Sequence, residues 1–429
     1  MNQLKTKLTE RFPALASRDY VIFVVGQLLS VIGTWAQSTA LPYLAYRISG
    51  RPFDLGLIGF SNTLPTLLFA LPAGVLVERW DKRQTVIVLQ AVMALQAFGL
   101  AWLAYTNRLQ IWHIIALAFF FGSAVSIEVT ARQSMLIELA GREALPSAIA
   151  LQTTAFNTGR VLGPMLAAWL ISATGSEGSV FLANGISFLF VIAGLLVART
   201  RFKVRKEAKA KGGLKEEFRA GIAYIRSSPV VLSVILMAAL VGFFGVPLTQ
   251  QIPAVARDVL KSALDTETAI ATRTSNLYAA QGVGALTAAF LAAYLASANR
   301  QNMLMLGQAS FVFPIIALGF VRDVNAALFL LALVGWGTVT QLVTMNTLIQ
   351  VEVPDHLRGR VFSVYFWALQ GVAPFGSIVI GWMAQTWNVP VTIIVGGTTC
   401  LIGILAIRLT LRKKETQQEA AQGAGESSG

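Results

Sequence analysis

Cysteine and histidine are almost absent from this chain of 429 residues, which contains one cysteine, Cys400, and two histidines. A single cysteine excludes a disulfide within the chain and any metal site made of several cysteines. The two histidines lie far apart, and neither a His-Glu-x-x-His nor a Gly-x-Ser-x-Gly motif occurs. We therefore expect that the chain is not an enzyme and that it holds neither a metal ion nor a cofactor.

Charged residues are scarce as well, at 13% of the chain against roughly 25% in soluble domains. Hydrophobic residues make up 55% of the sequence. This composition is typical of a protein embedded in a lipid bilayer, and it leaves little sequence for a large globular catalytic domain. The chain also lacks a Gly-x4-Gly-Lys-Ser/Thr loop, which excludes an ATPase site of that type within it.

Twelve apolar runs have the length of a transmembrane helix, which needs roughly 20 residues. Strands of a transmembrane barrel are about 10 residues long with alternating polarity, so they do not fit these continuous runs. The sequence predicts an all-α polytopic membrane protein with twelve transmembrane helices in two halves of six. The predicted spans are residues 20–46, 55–77, 84–105, 111–131, 145–172, 179–198, 229–253, 274–298, 302–321, 324–350, 361–386 and 389–411.

Lysine and arginine are distributed unevenly between the two sides of these spans. Of the 34 basic residues, 26 lie on the side of the termini, seven lie in the opposite loops, and Arg160 lies inside a span. Cytoplasmic loops carry an excess of basic residues, so both termini are predicted to be cytoplasmic. The predicted divisions are a cytoplasmic N-terminus (1–19), an N-terminal half (20–198), a basic cytoplasmic linker (199–228), a C-terminal half (229–411) and a disordered cytoplasmic tail (412–429).

The formal net charge of +13 follows from this distribution, because the basic residues occupy short segments between apolar runs. We therefore expect the chain to lie in a bilayer and not to bind nucleic acid. We also expect it to act as a monomer.

The two halves share a faint sequence pattern. The segments GREALPSAIALQ (141–152) and VPDHLRGRVFSVY (353–365) each open a helix that contains glycine and proline. In the first half these are Gly163 and Pro164, which we interpret as a helix-packing motif. A duplication of two halves joined by a basic linker is typical of transporters with parallel repeats.

The most specific motif is GVLVERWDKR at residues 74–83, between spans two and three. It resembles the signature of the major facilitator superfamily, in which a glycine begins a tight turn and an acid-basic pair and a basic cluster follow. Here Glu78 takes the place of the usual Asp. We interpret Gly74, Glu78, Arg79 and Arg83 as a cytoplasmic latch, because glycine suits a tight turn and an acid is favoured beside a helix N-terminus. The alternative is a solvated charged loop.

Other stretches resemble the branch of bacterial drug and siderophore exporters that includes the enterobactin exporter. They are residues 26–37 (GQLLSVIGTWAQ), 131–134 (ARQS), 156–164 (FNTGRVLGP) and 358–360 (RGR). The resemblance implies a multi-pass protein of the bacterial cytoplasmic membrane that exports amphipathic small molecules by alternating access, with protons as the exchanged ion. An importer or a lipid flippase is the alternative, because a fold determines neither direction nor cargo.

Glu128 and Arg160 are the most deeply placed ionisable residues, and such residues are functional hypotheses by default. Their depths allow them to pair, and Arg132 lies one turn from Glu128. We expect Glu128 to exchange a proton while Arg160 and burial tune its proton affinity. The alternatives are a static ion pair or a contact between Glu128 and Arg132 along one helix.

Polar residues at helical spacing predict a substrate cavity. In span one the spacing of three or four residues places them on one helix face, which must point into the bundle. Hydrogen bonding between helices is the alternative for each residue. The candidates for the cavity are Gln27, Ser30, Thr34 and Gln37 in span one, Gln341 and Thr344 in span ten, and the aromatic residues Phe120 and Phe243.

Overall fold

The computed structural model describes residues 12–200, 214–262, 265–294 and 299–426. Within these ranges the regular structure is helical, with twelve long helices and a shorter linker helix, Leu214–Ser227. The long helices are α1 (Arg18–Ser49), α2 (Pro52–Arg79), α3 (Lys82–Tyr105), α4 (Ile111–Ala140), α5 (Leu145–Thr174), α6 (Gly178–Val197), α7 (Pro229–Val259), α8 (Glu267–Tyr294), α9 (Arg300–Leu318), α10 (Val324–Glu352), α11 (Asp355–Phe366, continued as Ala373–Trp387) and α12 (Val389–Glu426).

Nine helices of the described chain are long and apolar enough to cross a membrane. The prediction of an all-α polytopic membrane protein is therefore confirmed. Helices suit this environment because they satisfy their backbone hydrogen bonds within one segment, without water.

Capping residues and glycines set the helix ends. The Ser17 hydroxyl accepts a hydrogen bond from the Tyr20 backbone nitrogen at the start of α1, and Asp81 accepts one from Gln84 at the start of α3. Gly50 ends α1 and Gly175 ends α5 in left-handed conformations, with φ of 60° and 69°. Glycine adopts these angles without the steric cost that a Cβ imposes.

The helices alternate in direction, which defines two ends of the bundle. The terminal end holds the start of α1, where the Ser17 hydroxyl donates to the Leu139 carbonyl and Asp19 accepts from the Thr200 nitrogen. The distal end holds the connections from α1 to α2, α5 to α6 and α7 to α8. Helices α1–α6 pack together as the N-half and α7–α12 as the C-half, and the halves meet mainly where α2 packs on α11 and α5 on α8.

Two parts of the chain differ from the sequence prediction. A tight turn is predicted at Gly74, but α2 continues through this residue to Arg79, and the chain turns at Trp80 and Asp81 instead. The prediction is wrong because Asp81 supplies the cap that starts the next helix. In addition, the backbone of α12 is helical to Glu426, past residue 412 where a disordered tail is predicted.

Candidate functional site

A cavity of 310 Å³ lies between the two halves, from the middle of the bundle toward the distal end. Its wall combines amide and hydroxyl groups with aromatic and aliphatic side chains, which suits an amphipathic ligand. The lining residues are Trp35, Gln37, Ser38, Leu41, Pro42, Leu55, Ile58, Gly59, Asn62, Gln96, Ala118 and Phe121 from the N-half, and Val246, Thr249, Gln250 and Tyr278 from the C-half.

Hydrogen bonds across the halves close the distal end. The Tyr43 hydroxyl donates to the Glu267 carbonyl at 2.7 Å, and the Tyr46 hydroxyl donates to the Asp258 carboxylate. The hydroxyls of Ser172 in α5 and Thr272 in α8 lie 3.3 Å apart. We call these three contacts the distal gate.

The face of α5 toward the terminal end is open by comparison. Thr153, Thr154 and Phe156 are exposed in the first half of this helix, with 51% of Phe156 accessible. The helix also has an exposed apolar face, which contains Leu162, Met165 and Trp169 and suits contact with lipid. In this conformation the two halves are therefore in contact at the distal end, while α5 exposes polar and aromatic side chains toward the terminal end.

Gln37 is the polar residue of α1 that both lines the cavity and bonds to other helices. Its amide nitrogen donates to the Gln96 carbonyl oxygen at 3.2 Å, and its own carbonyl oxygen accepts from Asn184 at 2.9 Å. These bonds join α1, α3 and α6 inside the N-half. Both interpretations of this residue, cavity wall and interhelical hydrogen bonding, therefore describe its geometry.

The other polar candidates on α1 lie outside this cavity lining. Gln27 and Ser30 are buried within the bundle, and Thr34 is half-buried. The carbonyl oxygen of Gln27 has no hydrogen-bond partner among the described residues.

The remaining cavity candidates also lie elsewhere. Phe120 is 59% exposed on α4, whereas the next residue, Phe121, lines the cavity. Phe243 packs on Phe244 at a π-helical turn in α7, with ring centroids 5.0 Å apart. Gln341 and Thr344 are buried in α10, where the Gln341 backbone packs against α9 and the Thr344 hydroxyl donates to the Thr340 carbonyl.

Glu128 pairs with Arg132 and not with Arg160. The Arg132 Nε donates to the Glu128 carboxylate at 3.0 Å, and the Gln90 amide donates to the same oxygen at 3.2 Å. Only 4% of Glu128 is exposed. Of the contacts that the sequence leaves open, this conformation therefore has the one between Glu128 and Arg132 along one helix, and not a pair between Glu128 and Arg160.

Arg160 instead stacks on an aromatic ring. Its guanidinium carbon lies 5.6 Å from the centre of the Trp35 ring, which is within the range of a cation–π contact. The Phe156 ring meets the same Trp35 ring edge-on, with centroids 5.5 Å apart. Trp35 lines the cavity, so the Arg160 side chain lies beside the cavity wall.

Gly163 allows α1 and α5 to approach closely. A Cβ built at this position would lie 2.8 Å from the Ala36 backbone nitrogen and even closer to the Trp35 Cβ. Pro164 follows it and is buried in the same helix. This geometry supports the interpretation of Gly163 and Pro164 as a helix-packing motif.

The predicted latch is described only in part: Gly74 lies within α2, and the side chains of Glu78 and Arg79 lie outside the described residues. Arg83 donates to the Leu196 carbonyl at 3.0 Å, which joins the start of α3 to the end of α6. Lys82 pairs with Glu138 of α4. Both contacts hold the connection between α2 and α3 against other helices of the N-half.

Two carboxyl groups outside the spans have shifted pKa values. Burial raises the pKa of Glu177, and the nearby Arg47 guanidinium, 2.9 Å away, opposes this shift. At the start of α8, hydrogen bonds from Arg273 lower the pKa of Asp265. These pairs stabilise the loops of the distal end.

Sequence reasoning missed several polar residues of the cavity. They include Asn62 in α2, Gln96 in α3, Thr249 and Gln250 in α7 and Tyr278 in α8. A short polar cluster inside an apolar run is the available signal, and Asn62 and Gln250 both lie in such clusters, at residues 61–63 and 249–251. No similar signal marks Tyr278, because tyrosine is common at membrane interfaces.

Comparison with known proteins gives a match over almost the whole chain. A major facilitator superfamily model described as transmembrane secretion effector matches residues 10–426. The multidrug efflux pump Tap of Mycolicibacterium fortuitum is 24% identical over 414 residues, which cover 94% of this chain and 96% of that protein. The enterobactin exporter EntS of Salmonella typhimurium is 24% identical over 387 residues, with coverage of 89% and 90%.

Solved structures of transporters share the fold. A mutant of the nucleoside transporter NupG superposes with a TM-score of 0.72 at 12% identity, covering 91% of this chain and 99% of that one. A bacterial homologue of the human lysosomal transporter Spinster gives a TM-score of 0.69 at 13% identity, with coverage of 92% and 96%. The predicted fold of twelve helices in two halves is confirmed by these matches.

Proposed function

Because the chain belongs to the transmembrane secretion effector family of the major facilitator superfamily, we propose that it is a secondary active exporter of amphipathic small molecules. It works by alternating access in the bacterial cytoplasmic membrane. The proposal is supported by relatives that are named as an efflux pump and an exporter. These relatives are transporters, which agrees with a function in transport and not in catalysis.

The observation that carries the proposal is a mixed polar and apolar cavity between two halves that touch at the distal gate. A ligand there contacts both halves, so its binding energy can differ between two arrangements of the halves. Such a difference is what a transported ligand needs in order to shift a conformational equilibrium.

The orientation follows from the loop charges. With 26 of 34 basic residues on the side of the termini, the terminal end faces the cytoplasm and both termini are cytoplasmic. The described conformation is then closed to the outside and receives substrate from the cytoplasm. The loop of Gly74, Glu78, Arg79 and Arg83 acts at this end as a conformational latch.

Protons are the coupling ion in this proposal, and Glu128 is the group that exchanges them. It is a buried carboxylate with one cationic partner, Arg132, and one amide partner, Gln90. In this proposal the Arg132 contact is made in one conformation and lost in another, where a proton takes its place. Export and proton entry are then linked through one conformational change.

Inverted membrane vesicles test the function, because their exposed face is the cytoplasmic one. We expect the full-length protein to accumulate labelled amphipathic compounds inside these vesicles when the lumen is acidic, and to stop when a protonophore removes the gradient. Accumulation only in right-side-out vesicles would identify an importer. Movement of labelled phospholipid without movement of small molecules would identify a flippase, and either result would contradict the proposal.

A further inference from the structure

Arg160 lies deep in the bundle on the interior face of α5. It is 15 residues from the start of this helix at Leu145, or about 22 Å along its axis. Thr153, Phe156 and Arg160 recur at helical spacing on one face, whereas the exposed apolar residues Met165 and Trp169 lie on another. The arginine therefore points into the transporter and away from lipid.

No described carboxylate neutralises this arginine. Glu128, the other ionisable residue at depth in the N-half, is already bound to Arg132 and Gln90. The other carboxylates with described side chains lie near helix ends or in loops. They are Asp19, Asp81, Glu138, Glu143, Glu352 and Asp355 toward the terminal end, and Asp54, Glu177, Asp258, Asp265, Glu267 and Asp323 toward the distal end.

A charge at this depth is costly unless it finds a partner. The Trp35 ring supplies a cation–π contact, which is worth about 0.5–2 kcal/mol and does not neutralise the charge. The guanidinium keeps donors that match the planar geometry of a carboxylate or sulfonate. The bundle interior consequently carries a positive charge against the Trp35 ring, next to the cavity wall.

The aromatic groups determine the rest of the ligand chemistry. Trp35 has one part of its surface in the cavity wall and another part against Arg160, and the Phe156 ring contacts Trp35 on the side of the terminal end. Two aromatic rings beside a cation match a flat aromatic body that carries an acid group.

We propose that Arg160, Trp35 and Phe156 form a subsite for aromatic organic anions, so that the preferred cargo is an amphipathic acid. The statement about cargo rests on the proposed function as an exporter. The subsite itself is tested by measuring ligand binding, which needs no proton gradient.

Three probes that share one naphthalene ring test the charge preference: 2-naphthoate, neutral 2-naphthamide and cationic 2-naphthylmethylammonium. Their dissociation constants are measured by calorimetry on the purified full chain in neutral detergent at pH 7. We expect naphthoate to bind about tenfold more tightly than naphthamide, as a charge-assisted hydrogen bond predicts. The cation is expected to bind most weakly.

Variants then assign the preference to one side chain. Arg160→Gln should make the naphthoate and naphthamide affinities equal, and Arg160→Lys should restore part of the difference. Trp35→Leu should weaken both probes, because both lose the same ring contact. Arg108→Gln is the matched control, since it removes an exposed arginine in the loop after α3.

Equal binding of the three probes by the unmodified protein would overturn the proposal, as would no binding of naphthoate or tighter binding of the cation. Retention of the full preference by Arg160→Gln would overturn it as well. Failure of transport in vesicles, with the binding preference intact, would contradict the exporter function alone.

Discussion

At the scale of single residues, we expect a change at Glu128 to separate binding from coupling. Its carboxylate is buried between Arg132 and Gln90. Glu128→Gln keeps the shape and a hydrogen-bonding amide, but it cannot release a proton. We expect this variant to lose uphill, gradient-driven export while it retains substrate binding and downhill exchange. The measurement is accumulation in inverted vesicles with an imposed pH gradient, together with binding to the purified protein.

Glu143→Gln is the control for this experiment, because Glu143 is exposed in the loop between α4 and α5. It should transport as the unmodified protein does. Unchanged uphill export by Glu128→Gln would mean that Glu128 is structural and that coupling resides elsewhere or is not protonic.

Asp265 gives a prediction of pH dependence outside the spans. Hydrogen bonds from Arg273 lower its pKa in the folded state, so the pair stabilises the fold above the pKa of the unfolded chain. This contribution is lost as the pH falls through the lowered folded-state pKa. Asp265→Asn should therefore destabilise the protein at pH 7 by about 1 kcal/mol and have no effect once both forms are neutral in strong acid.

Thermal unfolding in detergent measures this difference at pH 7 and in steps below pH 4. Replacing an exposed aspartate such as Asp323 with asparagine is not a suitable control, because the Asp323 carboxylate caps α10. Glu143→Gln serves again. The Asp265→Asn variant and the unmodified protein should differ in stability by an amount that depends on pH. A difference that stays constant with pH would contradict the stabilising role of the ionised Asp265 carboxylate.

Sequence reasoning located the charged residues in depth but did not choose between their possible partners. Depth in a span follows from residue count, whereas pairing depends on rotation of each helix and on its neighbours. Arg132 is one turn from Glu128 and reaches it without help from packing. Arg160 is on a different helix, and the close approach of α1 at Gly163 places Trp35 beside it instead.

At the scale of helices, the seam between α1 and α5 depends on the absence of a side chain at Gly163. Gly163→Ala would place its Cβ 2.8 Å from the Ala36 nitrogen, which is backbone and cannot move independently. We expect destabilisation of about 1–3 kcal/mol from overpacking, together with weaker substrate binding because Trp35 is displaced. Thermal stability in detergent and probe binding measure the two effects.

Gly99→Ala is the matched control, because a Cβ at this position in α3 meets no atom within 4 Å. Alanine is the better helix former, so this variant should be neutral or more stable by up to about 1 kcal/mol. Equal stabilities of the two variants would show that the seam tolerates a methyl group.

Helix positions are the level at which the sequence is most informative. Hydropathy predicts span 84–105, and the structure has α3 at Lys82–Tyr105. Helix ends depend on local chemistry, so the turn predicted at Gly74 occurs instead at Asp81, where a capping oxygen is present. The π-helical turn Val241–Gly245 has no such marker in the sequence.

At the scale of the whole molecule, loop charge and hydropathy predict the fold and orientation but not the conformational state. The alternating conformations of a transporter use the same helices with the same apolar faces, so the pattern of the sequence is compatible with both. Only contacts between the halves identify the state, and here Tyr43, Tyr46 and Ser172 contact the C-half at the distal end.

These contacts lead to a prediction about motion. If export requires the distal gate to open, a covalent bond across it must stop transport. Ser172 and Thr272 suit this purpose because their hydroxyl oxygens are 3.3 Å apart, Ser172 is exposed and Thr272 is half-buried. We expect Ser172→Cys with Thr272→Cys, in a Cys400→Ala background, to form a disulfide on oxidation and to lose export in inverted vesicles.

Dithiothreitol should restore export, because the disulfide, and not the two substitutions, causes the loss of export. Each single cysteine variant is a control and should remain active under oxidation. A protease site introduced into the linker reports the bond directly, because the cleaved halves stay together on a non-reducing gel only when the disulfide has formed. Full export with the disulfide formed would contradict alternating access through this gate, because substrate would then leave while α5 and α8 remain joined at the distal end.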